Sequence, residues 1–276
     1  MKHSHFFAAL IVFCAITFTS CDKDRGVNLF SLSQDIEFGR VMDSTIKADP
    51  VEYPILDPVQ YADAYTYVNT MMQQILESEK IKYKTEFEWE ITLINKDVMN
   101  AFAVPGGRLY FYTGLIKYLD DAASFAGVLG HEMAHVDLRH STKTLTDLYG
   151  FSFLVSLLIG NNSSQLAQIA GDMATGAAGL KFSRNHEYDA DKYSMYYLSE
   201  TKYHPKGIAS FFIKLQDEGH TGSTFEFLST HPSDQKRIDN IGQVWENDSY
   251  LKEKSSGKAY DYFEQEYINE LISKLP

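Results

Sequence analysis

The chain has 276 residues, 44% of them hydrophobic and 22% charged, with a formal net charge of −12. That is the balance of a globular protein long enough to bury a sizeable core. The acidic excess argues against nucleic acid as a partner, because phosphate binding needs a basic face.

The first twenty residues read as an export signal. Lys2 is followed by an apolar run from Phe6 to Phe18, too short to span a bilayer comfortably. The stretch FTSC ends on Cys21 and looks like the lipobox of bacterial lipoproteins, with Phe18 where leucine is usual. Residues 1–20 are therefore expected to be a signal peptide. Cys21 is expected to carry a lipid anchor, and 21–29 a polar tether holding the protein on a membrane. The only cysteines are Cys14 and Cys21, which leaves none for a disulfide or a metal site in the remainder.

Helical spacing follows over SLSQDIEFGRVMDSTIKA, with Ile36, Val41 and Ile46 among its apolar positions. Pro58 suits the first turn of a second helix running from about Val59 to Lys80. TEFEWEITLI alternates, with Phe87, Trp89, Ile91 and Leu93 on one face, which predicts a half-buried strand. After a turn at Asn95-Lys96-Asp97, VMNAFAV and RLYFY read as two short strands around Pro105-Gly106-Gly107. Asp120 or Asp121 is placed to cap the next helix. An apolar stretch at 148–160 reads as a core or interfacial helix, and FSRNHEYDADKYSMYYL as another helix. Helices and loops complete a single domain over 30–276, with no helical-repeat module.

The helix at 131–135 reads HEMAH. Residues four apart differ by about 40° around a helix, so His131 and His135 can share one ion, with Glu132 beside them. This is the HExxH arrangement of zinc peptidases, in which zinc keeps one position open for water. The extended HExxHxxGxxH form is absent, since Leu138 and Ser141 stand at its positions. His140, nine residues after His131, lies about 180° around the helix and so points away. Glu187 and Asp191 lie four apart in HEYDAD. Glu187 can complete a His₂Glu ligand set, and Asp191 can accept the far ring N–H of a ligand histidine. A solvated acidic face is the alternative for this pair.

HEMAHVDLRH, FSRNHEYDAD, NAFAVPGG and STHPSDQKRI stand in the order and spacing of metallopeptidase family 48. The chain resembles that family over roughly residues 30–245. Its members include CAAX prenyl proteases, HtpX-type and Oma-type proteases and small periplasmic lipoproteases, and this chain is similar to the last group. The resemblance implies an α+β, mainly helical gluzincin-type domain, with a small antiparallel sheet whose edge strand lines the cleft. It implies one zinc per chain on His131, His135 and Glu187. Glu132 would be the general base, and Asp191 an outer-sphere residue and catalytic proton donor. Asn100 and the strand Ala101, Phe102, Ala103 and Val104 would lie along an extended or unfolded polypeptide substrate. His231, in THP, would either stabilise the oxyanion or block the open zinc position. Arg237 would orient that loop or form a surface ion pair. His186, His204 and His220 match no role. The implied protein is an endopeptidase of the bacterial cell envelope, facing the periplasm, that acts on misfolded or misassembled proteins. A zinc-stabilised chaperone-like factor is the rival. The membrane and the oligomeric state are left open.

Overall fold

The computed structural model describes residues 27–150, 152, 163–175, 181–219, 226–232 and 235–276. The export signal, Cys21, His220 and most of the 148–160 stretch lie outside the described residues.

One helix organises the domain. In α4 (Ala122–Asp137) all sixteen residues are buried. A helix of small and apolar residues on every face can be stable only inside a core. Asp121 caps it, accepting a hydrogen bond from Ser124 N at 2.7 Å. Around it stand α1 (Leu32–Lys47), α2 (Ala62–Leu76), α3 (Thr113–Tyr118), α5 (His140–Tyr149) and α6 (Ser163–Thr175). The C-terminal part adds α7 (Arg184–Leu198), α8 (Gly207–Asp217), α9 (Glu226–Thr230), α10 (Gln235–Asn247), α11 (Ser249–Ser255) and α12 (Glu264–Glu270).

Two glycines set how closely α4 is approached. A Cβ on Gly127 would lie 2.2 Å from Ile208 N, and one on Gly130 2.7 Å from Ser194 Oγ. The missing side chains let α8 and α7 pack against the α4 backbone. Ser194 then donates to the Gly127 carbonyl at 2.9 Å. This contact fixes α7, and with it Glu187, over the HEMAH segment.

The sheet contains β1 (Glu90–Ile94), β2 (Ala101–Val104) and β3 (Arg108–Tyr112) in the order β1-β3-β2. The mainly helical fold class expected from the sequence holds, but the sheet is mixed rather than antiparallel throughout. β1 pairs parallel with β3, because the chain passes to the far side before the β2–β3 hairpin returns between them. β2 is an edge strand, as expected.

Strand β1 is shorter than its alternation suggested, and it is buried on both faces. Ile91, Leu93, Leu109 and Phe111 face the main core around α4, whereas Ile94, Phe102, Tyr110 and Tyr112 join a second core with Phe38, Met42 and Leu145. The sheet is thus a wall between two cores. Helix α2 starts later than expected. Asp57 Oδ1 accepts from Val59 N and Gln60 N, so Pro58 sits in a side-chain-capped turn before the helix.

Candidate metal centre

His131 and His135 rise from α4, Glu187 comes from the first turn of α7, and His231 from the chain just after α9. All four are buried, with one ligand atom of each within 4.8 Å of the others. His135 Nε2 lies 3.1 Å from His131 Nε2, which lies 3.3 Å from His231 Nδ1. The Glu187 carboxylate is 3.5 Å from each α4 ring nitrogen and 3.2 Å from His231 Nδ1. Ligands about 2.0–2.1 Å from a tetrahedral zinc ion stand about 3.3–3.4 Å apart, so these separations fit the edges of one such tetrahedron.

The charges agree with the spacing. Glu132, Glu187 and Asp191 are buried beside a single buried guanidinium, Arg237. Three carboxylates against one cation leave a deficit that a divalent ion would close. Among the described residues, neither Glu132 oxygen has a hydrogen-bond partner, although His231 Nε2 stands 3.5 Å from Oε1. Burial pushes the Glu132 carboxyl above its ordinary value, opposed by His231 and His131. A proton carrier working near neutrality needs a shift in that direction. From protein groups alone, burial pulls His131 down, but Asp191 and Glu187 outweigh it and lift the ring to about 9. Burial holds His135 well below the usual imidazole range.

The surrounding partners are of two kinds. On one side His131 Nδ1 lies 3.0 Å from Asp191 Oδ1, though not in line for a hydrogen bond. Arg237 grips Asp191 with two bonds, 2.8 Å from Nε and 2.6 Å from Nη2, and reaches Glu187 Oε2 at 2.7 Å. It also reaches the Pro232 carbonyl at 3.2 Å and lies over the Phe212 ring. Arg237 is therefore a buried organiser of the His231 segment and not a surface ion pair. Burial likewise removes the solvated-face alternative for Glu187 and Asp191.

On the other side, Phe182 stacks on His135 at 4.0 Å, and His140 Nδ1 lies 3.1 Å from His135 Nδ1. His140 in turn stacks on His186, ring centroids 4.3 Å apart. The expectation that His140 points away fails because the helix does not continue. Arg139 adopts a left-handed conformation, φ 60°, and α5 restarts at His140. Glycine is usual at such a break, so an arginine there gave no signal in the sequence. His186, unassigned from sequence, is buried in the same stack. His204 packs elsewhere, against Tyr262.

Phe102 and Ala103 of β2 bound a narrow cleft with a free volume of only about 20 Å³, and Phe182, Thr230 and His231 form its other wall. Asn100 is fully buried, and neither amide atom has a hydrogen-bond partner among the described residues. Such an unpaired group costs about 1–3 kcal/mol.

Residues 63–244 match the model of peptidase family M48. The mitochondrial metalloendopeptidase OMA1 of Schizosaccharomyces pombe is 27% identical over 197 residues, covering 71% of this chain and 57% of its own length. The beta-barrel assembly-enhancing protease of Escherichia coli K12 is 30% identical over 182 residues, 62% of this chain and 37% of its own length. Metalloprotease YcaL of the same organism is 32% identical over 148 residues, 52% of this chain and 57% of its own length. The chain thus matches less than two thirds of the length of each of these relatives. The family match spans more than half of the chain and contains HEMAH, Glu187, Asp191, His231 and Arg237, and the chain belongs to peptidase family M48.

Proposed function

We propose that the protein is a zinc endopeptidase with a built-in latch. The observation that carries this is the fourth donor. His131, His135 and Glu187 form a catalytic-type ligand set, and His231 Nδ1 stands at the corner that a catalytic site keeps open. Of the two roles implied for His231, this position favours the blocking one. In the latched state no corner is left for water.

Bound zinc would supply Lewis acidity, polarising a carbonyl and acidifying water. Glu132, adjacent to the ligands and without a hydrogen-bond partner among the described residues, takes the proton of the attacking water and passes it to the leaving amine. An extended peptide pairs with the edge of β2 along Ala101 to Val104, the strand that follows Asn100. Arg237 holds Asp191, Glu187 and the chain after His231 in place, so latch and ligands share one support.

The same reading makes residues 1–20 a signal peptide, Cys21 a lipid anchor with a tether to residue 29, and 30–276 one peptidase domain at the bacterial cell envelope, facing the periplasm. No described helix is long and apolar enough to cross a membrane, and a lipid anchor would supply the attachment. Misfolded or misassembled envelope proteins are the proposed substrates. This agrees with the name of the beta-barrel assembly-enhancing protease.

The test is metal content and casein cleavage for wild type, Glu132→Gln and His231→Ala. One zinc per chain is expected in all three. Cleavage should rise in His231→Ala and vanish in Glu132→Gln. Client binding of equal strength in wild type and Glu132→Gln, with no cleavage by any zinc-loaded variant, would favour a chaperone-like factor instead.

A further inference from the structure

Helix α4 ends at Asp137, and a continued helix would carry residue 140 about 140° around the axis from His135. Instead Arg139 takes φ 60° and ψ 38°. For a side chain of that size the left-handed region costs about 1–2 kcal/mol. The surroundings hold it there. The Arg139 guanidinium donates to the buried Asp35 carboxylate of α1 and to the Phe30 carbonyl. The break turns His140 back under the metal centre. Its ring is held face to face with His186, whose Nδ1 lies 3.4 Å from Thr144 Oγ1.

Two Nδ1 atoms 3.1 Å apart can share only one proton. A histidine that gives its Nε2 lone pair to a metal carries its proton on Nδ1. We infer that His140 is a positioning residue of the metal centre. His135 donates Nδ1–H to the bare Nδ1 of His140, whose own proton sits on Nε2. The left-handed Arg139, clamped by Asp35, is what places His140 there. This inference rests on the metal site proposed above. It assigns the two α4 ligands unlike outer partners, a carboxylate for His131 and a neutral imidazole for His135.

The test is zinc affinity by chelator competition on the full chain, with thermal unfolding of the metal-free protein in parallel. His140→Phe keeps a flat ring against His186 and removes the acceptor. It is expected to weaken zinc binding about 10–100-fold while metal-free unfolding stays near wild type. His140→Asn sets an amide oxygen where Nδ1 stood and should recover most of that loss. Equal zinc affinity in wild type and His140→Phe would overturn the inference and leave the metal site standing. So would equal losses in the Phe and Asn variants that track a loss of stability. A wild-type chain that takes up no zinc would remove the metal site itself. Should His140→Phe fail to fold, ¹⁵N NMR of zinc-loaded wild type decides. The expected pattern is a protonated Nδ1 on His135 and a bare Nδ1 on His140; the reverse pattern would contradict it.

Discussion

His131 and His135 are one turn apart on α4, yet their far sides meet different environments. Behind His131 lie charges: Asp191, gripped by Arg237, which also reaches Glu187. Behind His135 lie uncharged rings, namely Phe182, His140 and His186, with burial holding both His140 and His186 below the usual imidazole range. Each side orients a ligand, but they fail differently. Removing one member of a buried charge network strands the others in a low-dielectric interior. Removing one member of a stack of neutral rings forfeits packing and one hydrogen bond. The charged side is therefore the brittle half of the site and the aromatic side the adjustable half.

The largest expected effect is Arg237→Met. It leaves Asp191 and Glu187 buried and uncompensated and should cost about 3–5 kcal/mol in denaturant unfolding of the metal-free protein. Lysine should not rescue it, because a point charge cannot reproduce the two-bond grip on Asp191. A loss below about 1 kcal/mol would mean that the charged side is no more brittle than its neighbour.

Asp191→Asn comes next. The carboxylate facing His131 Nδ1 is lost while Arg237 keeps Glu187, so the expected result is about 10–100-fold weaker zinc binding in a folded protein. Phe182→Leu is smaller. Loss of the ring on His135 should cost about 1 kcal/mol of stability and change zinc affinity less than Asp191→Asn does. The opposite order would break the contrast between the two sides.

The smallest effect lies outside the site. Glu88 is bound by Arg40 and Arg108, whose hydrogen bonds hold its carboxyl down at about 2. Its folded value lies below the ordinary one, so its contribution is present above pH 4.5 and fades as pH falls toward 2. Glu88 is more than a third exposed, and screening limits the effect to under about 1 kcal/mol. Glu88→Gln should flatten that part of the acid unfolding curve and leave zinc binding unchanged.

The carboxylates of the brittle half were legible in the sequence; its arginine and the whole of the adjustable half were not. HEMAH and the Glu187–Asp191 pair obey helical spacing, so a pattern of residues was enough to place four side chains on two faces. Glu132 needed no further clue. His140 and His186 depended on one backbone angle at Arg139, and no glycine marks that angle. The role of Arg237 depended on tertiary burial, which a lone arginine after a loop does not announce. In the sheet, hydrophobic alternation located β1, and the turn at Pro105-Gly106-Gly107 located the two strands around it. Neither showed that β3 lies between β1 and β2, or that the second core covers the outer face of β1.

The latch requires that His231 be a fourth protein ligand of the resting site. X-ray absorption at the zinc edge of the full chain, compared with His231→Ala, tests it most directly. Three imidazole nitrogens and one carboxylate oxygen at about 2.0–2.1 Å are predicted for wild type, changing to two imidazole nitrogens and two oxygen ligands in the variant. Two imidazoles in both proteins would show that His231 never closes the site, and the latch would be contradicted.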